Sequence, residues 1–181
     1  MKSVYLLTGR PGVGKTTLIK EVVANLSRTC GGFYTEEIRV KGTREGFRIV
    51  TLDGETAVLA SIHIPSRYRV SKYGVDLASL ERVGVAALRK ATQERDVIVI
   101  DEIGKMELFS AYFRQAVVEA IESGKPVLGT ILLGPHPWAD GVKHHPQVQL
   151  IYLTQTNRQQ ARDQILSWLG GAGEQAIDTL P

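Results

Sequence analysis

The octapeptide GRPGVGKT, Gly9 to Thr16, constrains this chain more than any other stretch. It fits G-x-x-x-x-G-K-[ST], in which glycines let the backbone wrap until successive N–H groups converge on phosphate oxygens. SVYLLTG (3–9) before it reads as a buried strand. After it, Leu18, Ile19, Val22, Val23 and Leu26 fall at helical spacing from Lys15 onward. Both flanks that the motif requires are therefore present, and the helix adds the positive end of its dipole. In that setting Lys15 reaches the β- and γ-phosphates, Thr16 Oγ1 ligates Mg2+, and Thr17 lies next to the α-phosphate. Arg10 projects from the loop and is read as facing solvent, with a γ-phosphate contact as the alternative.

A phosphate loop needs a carboxylate for its magnesium, and VIVIDEIGKMELF (97–109) offers three. An apolar strand that ends in acid is costly to bury without a purpose. Asp101 is expected to hold Mg2+ through water beside the Thr16 hydroxyl. Successive strand side chains point to opposite faces. Glu102 can therefore join Asp101 only if the strand stops there, with Gly104 turning the chain away. So placed, Glu102 polarises an attacking water and is the candidate general base; a carboxylate at the start of a helix is the alternative. Glu107 either favours the dipole of the next helix or touches the catalytic loop. Lys105 is read as pairing with a nearby acid, or else as stabilising charge on the γ-phosphoryl.

The remaining pattern alternates strands and helices. GGFYTEEIRV, REGFRIVTLD and TAVLAS are short strands joined by tight turns, which pair antiparallel because a parallel crossover needs about a dozen residues or more. Residues 31–62 thus read as an antiparallel excursion from a parallel core. Helices are expected at 76–92, with Leu77, Leu80, Val83, Ala87 and Leu88 on one face, and at 108–123. The stripe of the latter is Phe109, Tyr112, Phe113, Ala116, Val117, Ala120 and Ile121, read as core. KPVLGTIL and VQLIYLT supply two more strands. A last helix runs from an Asn157 cap to Leu169. Near-continuous Val/Ile/Leu strands alternating with helices describe an α/β protein, its open parallel sheet covered on both faces. Ligands bind such sheets beyond the strands' carboxyl ends.

Two strand ends carry further polar residues. Thr130 either senses the γ-phosphate beside the Asp101 strand or is a plain β-favouring residue. Arg158 or Arg162 is a candidate to lie against the base or ribose. The guanine-reading NKxD is absent, and nothing else specifies a base. SRYRVSKYG (66–74) is read as a solvated loop, with a lid or a nucleic-acid contact as alternatives. His136, His144 and His145 lack the spacing of a four-ligand zinc site and are read as surface loop.

The chain has 181 residues, 43% of them hydrophobic, enough to build one core without staples. A single domain is expected over residues 1–169, with 170–181 a flexible tail. The lone Cys30 excludes an intrachain disulfide. A formal charge of +3 is too weak to support a nucleic-acid partner by itself. No apolar run approaches the ~18–20 residues that span a membrane, so a cytoplasmic protein is expected; a monomer is one reading, and the sequence leaves the oligomeric state open.

LTGRPGVGKTTLI, GFYTEEIR, REGFRIVTLDG, YGVDLASLE, IDEIGKMELFS, LGTI and LTQTNR together resemble the nucleoside-triphosphatase family of thermophilic archaea and bacteria. That family also includes the vertebrate cancer-related nucleoside-triphosphatase. GFYTEEIR with DEIGKMELF is the specific part. The resemblance implies a RecA-like P-loop domain that hydrolyses ATP, GTP, CTP, UTP and TTP to diphosphates with Mg2+, slowly and with broad base tolerance. It carries nucleotide binding onto Gly9, Arg10, Pro11, Gly12, Val13, Gly14, Lys15 and Thr16. It does so also for Val97, Ile98, Val99, Ile100, Asp101, Glu102, Ile103 and Gly104. Residues 133–146 depart from the family pattern. A small-molecule or nucleotide kinase and a nucleotide-regulated RNA-binding module remain the rival readings.

Overall fold

The computed structural model describes residues 1–171. The first half holds β1 (Val4–Thr8), α1 (Lys15–Ala24), β2 (Cys30–Val40), β3 (Thr43–Thr51), β4 (Thr56–Ser61), β5 (Arg69–Val70) and β6 (Tyr73–Val75). Then come α2 (Leu77–Ser79), a π-helical stretch (Leu80–Val85), α3 (Ala86–Glu94) and β7 (Val97–Ile103). A 3₁₀ turn (Glu107–Phe109) leads to α4 (Ala111–Glu122), β8 (Val127–Ile131), α5 (Pro137–Lys143), β9 (Val148–Tyr152) and α6 (Arg158–Gly171). Helix α6 runs past the expected end at Leu169, and the rest of the expected tail lies outside the described residues.

All these strands join one sheet in the order β5-β6-β4-β3-β2-β7-β8-β1-β9. The five strands from β2 to β9 pair parallel, and those from β2 outward to β5 pair antiparallel. The excursion is therefore larger than 31–62. It runs to Val75, and its first strand belongs to both halves: Cys30–Phe33 pair with β7, and Phe33 onward with β3.

Alternation along β7 splits the core. Ile98 and Ile100 pack with Val4, Leu6, Phe33 and the α3–α4 side, while Val97 and Val99 pack with Leu7, Leu18, Ile19 and Ile165 on the α1–α6 side. Burying apolar area on both faces supplies most of the driving force, about 25 cal/mol per Å2.

Two helix expectations change. The predicted 76–92 helix is broken in register by its π-helical turn, which buries Gly84 and Val85 beside Leu80 and Val83. Ser110 takes the cap of α4, accepting from Phe113 N at 3.1 Å, so Phe109 and Tyr112 fall outside the buried stripe at 37% and 58% exposure. The remaining stripe residues are core.

Candidate active site

Gly14 ends the phosphate loop at φ 99°, a left-handed conformation, and Lys15 opens α1. A residue with a Cβ adopts that geometry only with strain. Lys15 Nζ donates to the carbonyls of Gly9 and Arg10 at 3.0 and 3.1 Å, which folds the ammonium over the mouth of its own loop. Thr16 faces inward and Thr17 outward.

Between β1 and β7 lies one strand, β8, and it completes the cluster. Thr16 Oγ1 donates to Asp101 Oδ2 and Thr130 Oγ1 to Asp101 Oδ1, each at 2.6 Å. The second of the two readings of Thr130, a plain sheet residue, is thus too small a role for it. Asp101 is 3% exposed, and its burial pushes the carboxyl above its usual range while the two hydroxyls pull it back. In the stretch before it, Val97, Ile98, Val99 and Ile100 are fully buried strand core. They deliver the acids and present no side chain to the cleft.

The expected strand end at Glu102 is not seen. β7 continues to Ile103, but its ladder with β8 slips between Ile100 and Ile103, interrupting the alternation of faces. The Asp101–Glu102 peptide is cis. Glu102 lines a cavity of about 360 Å3 with Gly9, Lys15, Thr35, Lys105 and Glu107. Burial, and then the charge of Asp101, raise its carboxyl pKa.

Of its two readings, Glu107 takes the contact with the catalytic segment and not the place at a helix start. It sits in the 3₁₀ turn, not at the start of α4, and is 3% exposed. Burial pushes its carboxyl well up, and Glu102 pushes it further. Gly104 lies between the two acids. A Cβ there would come 2.7 Å from Glu102 Oε1 and 2.8 Å from Glu107 Oε2. The glycine is required to admit two carboxyl groups, a reason distinct from turning the chain. Lys105 is exposed and forms no ion pair among the described residues, so the pairing read for it is not formed.

A second cleft, about 570 Å3, lies between Arg10–Val13 and the β9–α6 loop at 152–156. Arg158 does not reach into it. Its guanidinium donates to Gly14 O at 3.2 Å and to Glu21 at 2.8 Å, tying α6 to the phosphate loop and α1. Arg162 lies 3.9 Å from Asp163. The Asn157 side chain turns back on the loop, accepting from Thr154 N and donating to Tyr152 O.

The remaining motifs find structural places. SRYRVSKYG forms the β5–β6 hairpin at the sheet edge, and its Val70 lines the 360 Å3 cavity. His136 caps α5 ahead of Pro137, and His144 and His145 close its C-terminal end. The His-Pro pair at a helix start was the signal for this helix. Sequence reasoning also missed Thr35, whose hydroxyl donates to the Asp101 carbonyl oxygen.

Among the described residues no group of three or more His, Cys, Asp or Glu is placed to hold a metal. The oxygen pair of Thr16 and Asp101 fits a different demand. Mg2+ takes few protein ligands, all hard oxygens, and keeps several waters. A buried carboxyl group with a hydroxyl 2.6 Å away is such a donor set.

The sheet order, with one strand between the loop strand β1 and the acid strand β7, together with this cluster, defines a P-loop protein with the architecture of nucleoside triphosphatases. The chain belongs to the NTPase family, whose model matches residues 4–166. The nucleoside-triphosphatase THEP1 of Thermotoga sp. (strain RQ2) is 50% identical over 164 residues, covering 91% of this chain and 94% of that protein. The cancer-related nucleoside-triphosphatase of Homo sapiens is 41% identical over 172 residues, covering 84% and 88%. The crystal structure of THEP1 from Aquifex aeolicus matches with a TM-score of 0.83 at 40% identity, covering 92% of this chain and 98% of that one. The solution structure of the human protein gives 0.79 at 35%, covering 96% and 100%. The family and the α/β P-loop fold expected from the motifs are both borne out.

Proposed function

We propose that this chain hydrolyses nucleoside triphosphates to diphosphate and phosphate with Mg2+, accepting ATP, GTP, CTP, UTP and TTP. The observation that carries the reading is the meeting of Thr16, Asp101 and Glu102 at the mouth of the phosphate loop. The loop amides and Lys15 bind the β- and γ-phosphates, for which Lys15 leaves the two carbonyls it now caps. Thr16 and Asp101 would hold the metal, with Thr130 fixing the inner oxygen of Asp101. A Mg2+ ion held there would supply charge neutralisation to the phosphates. Glu102 accepts a proton from the attacking water. Its place in the cavity beside Lys15 and the phosphate loop puts it within reach of a water at the γ-phosphate.

Base tolerance rests on the 570 Å3 cleft, where Arg158 is held away from the base by Gly14 and Glu21. An arginine finger is worth about 10³–10⁵ in rate. The two cations near the γ-phosphate position, Arg10 and Lys105, are both exposed, and slow turnover is expected without a partner. No helix among the described residues is long and apolar enough to cross a membrane.

The test is phosphate release from a panel of nucleotides, comparing wild type with Glu102→Gln. The variant is expected to bind nucleotide and to lose about 10²–10⁴ in kcat, the usual worth of a general base. Wild-type turnover in Glu102→Gln would remove the base assignment. Hydrolysis confined to one nucleotide would remove the broad-substrate reading. One observation favours a second reading, transfer to a small acceptor: the 360 Å3 cavity is walled by Phe47, Leu59, Val70 and Met106. Phosphate release without any acceptor decides against it.

A further inference from the structure

Of the two segments that make the family resemblance specific, the hydrolytic machinery above uses DEIGKMELF and none of GFYTEEIR. One of its residues touches that machinery. The β2–β7 ladder pairs Cys30–Phe33 with Val97–Ile100 and goes no further. Beyond Ile100 the β7–β8 ladder also slips, so on both sides β7 loses regular pairing where Asp101 and Glu102 stand. A strand end whose carbonyl lacks a ladder partner must find another donor if it is to stay in place. Thr35, partly buried on the section of β2 that has parted from β7, supplies it: its hydroxyl donates to the Asp101 carbonyl oxygen. That carbonyl belongs to the peptide joining Asp101 to Glu102. Thr35 also lines the same cavity as Lys15 and Glu102.

Neighbouring contacts fix β2 itself at this point. Glu36 pairs with Lys20 of α1 at 3.0 Å, and with Arg48 of β3 at 3.1 Å. Thr35 is thereby held by the phosphate-loop helix on one side and by the antiparallel wing on the other.

We infer that Thr35 is the positioning residue for Glu102. Its hydroxyl anchors the Asp101–Glu102 peptide where the sheet no longer does, and so sets the Glu102 carboxylate against the γ-phosphate. The inference rests on the proposed role of Glu102. It also gives the antiparallel wing a task, since β2 is the strand that carries Thr35 into the parallel core.

The experiment is steady-state hydrolysis of Mg-ATP, with nucleotide affinity, by Thr35→Val and Thr35→Ser, each alone and combined with Glu102→Gln. Valine keeps the branched shape and β preference but removes the hydroxyl. Thr35→Val is expected to lower kcat about 10–100-fold, the scale of a small misplacement at a reacting centre, with KM and affinity within about twofold of wild type. Thr35→Ser is expected to restore most of kcat. In the Glu102→Gln background, Thr35→Val should cost nothing more, because residues that act as a unit are not additive. If Thr35→Val turns over at the wild-type rate, loses affinity in step with kcat, or adds its full loss to that of Glu102→Gln, the inference is overturned. The same holds if serine fails to restore activity. If Thr35→Val unfolds at the assay temperature, Thr35→Ser against Thr35→Ala makes the same one-hydroxyl comparison. Glu102→Gln at the wild-type rate would sink the general-base reading whatever Thr35 does. A slow Glu102→Gln beside an unimpaired Thr35→Val sinks this inference alone.

Discussion

Thr130 Oγ1 donates to Asp101 Oδ1 at 2.6 Å, and both residues are closed to solvent. Thr130 belongs to the strand between the two that carry the phosphate loop and the acid. It donates to one carboxylate oxygen and leaves the other for Thr16. Thr130→Val keeps the β-branched shape and orphans a buried acceptor, which costs about 1–3 kcal/mol. Denaturant unfolding should show that loss. A Mg2+ titration of nucleotide binding should shift to higher metal concentration, since Asp101 can then rotate. Unchanged stability and metal dependence would refute the role.

Gly104 separates the carboxyl groups of Glu102 and Glu107. In Gly104→Ala the new methyl would meet side-chain atoms of Glu102 and Glu107, not backbone, so the fold is expected to survive while the acids are displaced. A shift of about 1 Å at a reacting group costs on the order of 10²-fold. Phosphate release should fall by that factor with nucleotide affinity retained. A fully active Gly104→Ala would show that neither acid needs its present place.

Glu107 has its pKa raised well above 4.5 in the folded chain, by burial first and by Glu102 second. The folded state therefore binds more protons than the unfolded state between 4.5 and the folded pKa. Stability falls as pH rises through that window. Below 4.5 both states are protonated and the effect is absent. Glu107→Gln removes the titration and keeps the shape. Its melting temperature should exceed that of wild type at pH 8 by roughly 3 °C or more, what about 1 kcal/mol is worth at this size. The gain should shrink as the pH is lowered toward 5. A gain independent of pH would mean that the buried carboxyl is not the cause.

Arg158 ties α6 to Gly14 and Glu21 and is turned away from the 570 Å3 cleft. Both members of its ion pair are about a third or more exposed, so Arg158→Ala should cost less than ~1 kcal/mol of stability. Affinity should drop through a looser loop, by the same factor for ATP, GTP, CTP and UTP. A drop limited to one base would restore the base contact that the sequence suggested.

Much of this was legible in the residues alone. The phosphate loop is contiguous, and its glycines and flanking strand and helix set its geometry locally. The same holds for the apolar run that delivers Asp101. The parallel core, the antiparallel wing and the family followed from patterns of short range. Where reading failed, the deciding contact joined distant segments. Phe109 and Tyr112 fit a helical stripe, but the Ser110 cap starts the helix after Phe109. Arg158 looked like a ligand for the base because its partners, Gly14 and Glu21, are remote in sequence.

What the sequence by itself determined is the chemistry of the phosphate loop and the identity of the acids brought to it. These depend on backbone conformation and on neighbours a few residues apart. Only the tertiary structure decided how the acids differ. Asp101 is clasped between two threonines from separate elements, Glu102 opens on the cavity, and Glu107 is buried against Gly104. Thr35 reaches Asp101 because two ladders lose their register at one point. A tight turn fixes the register of the two strands it joins, but β2, β7 and β8 are remote in sequence, so where their ladders end is decided by how their buried faces pack.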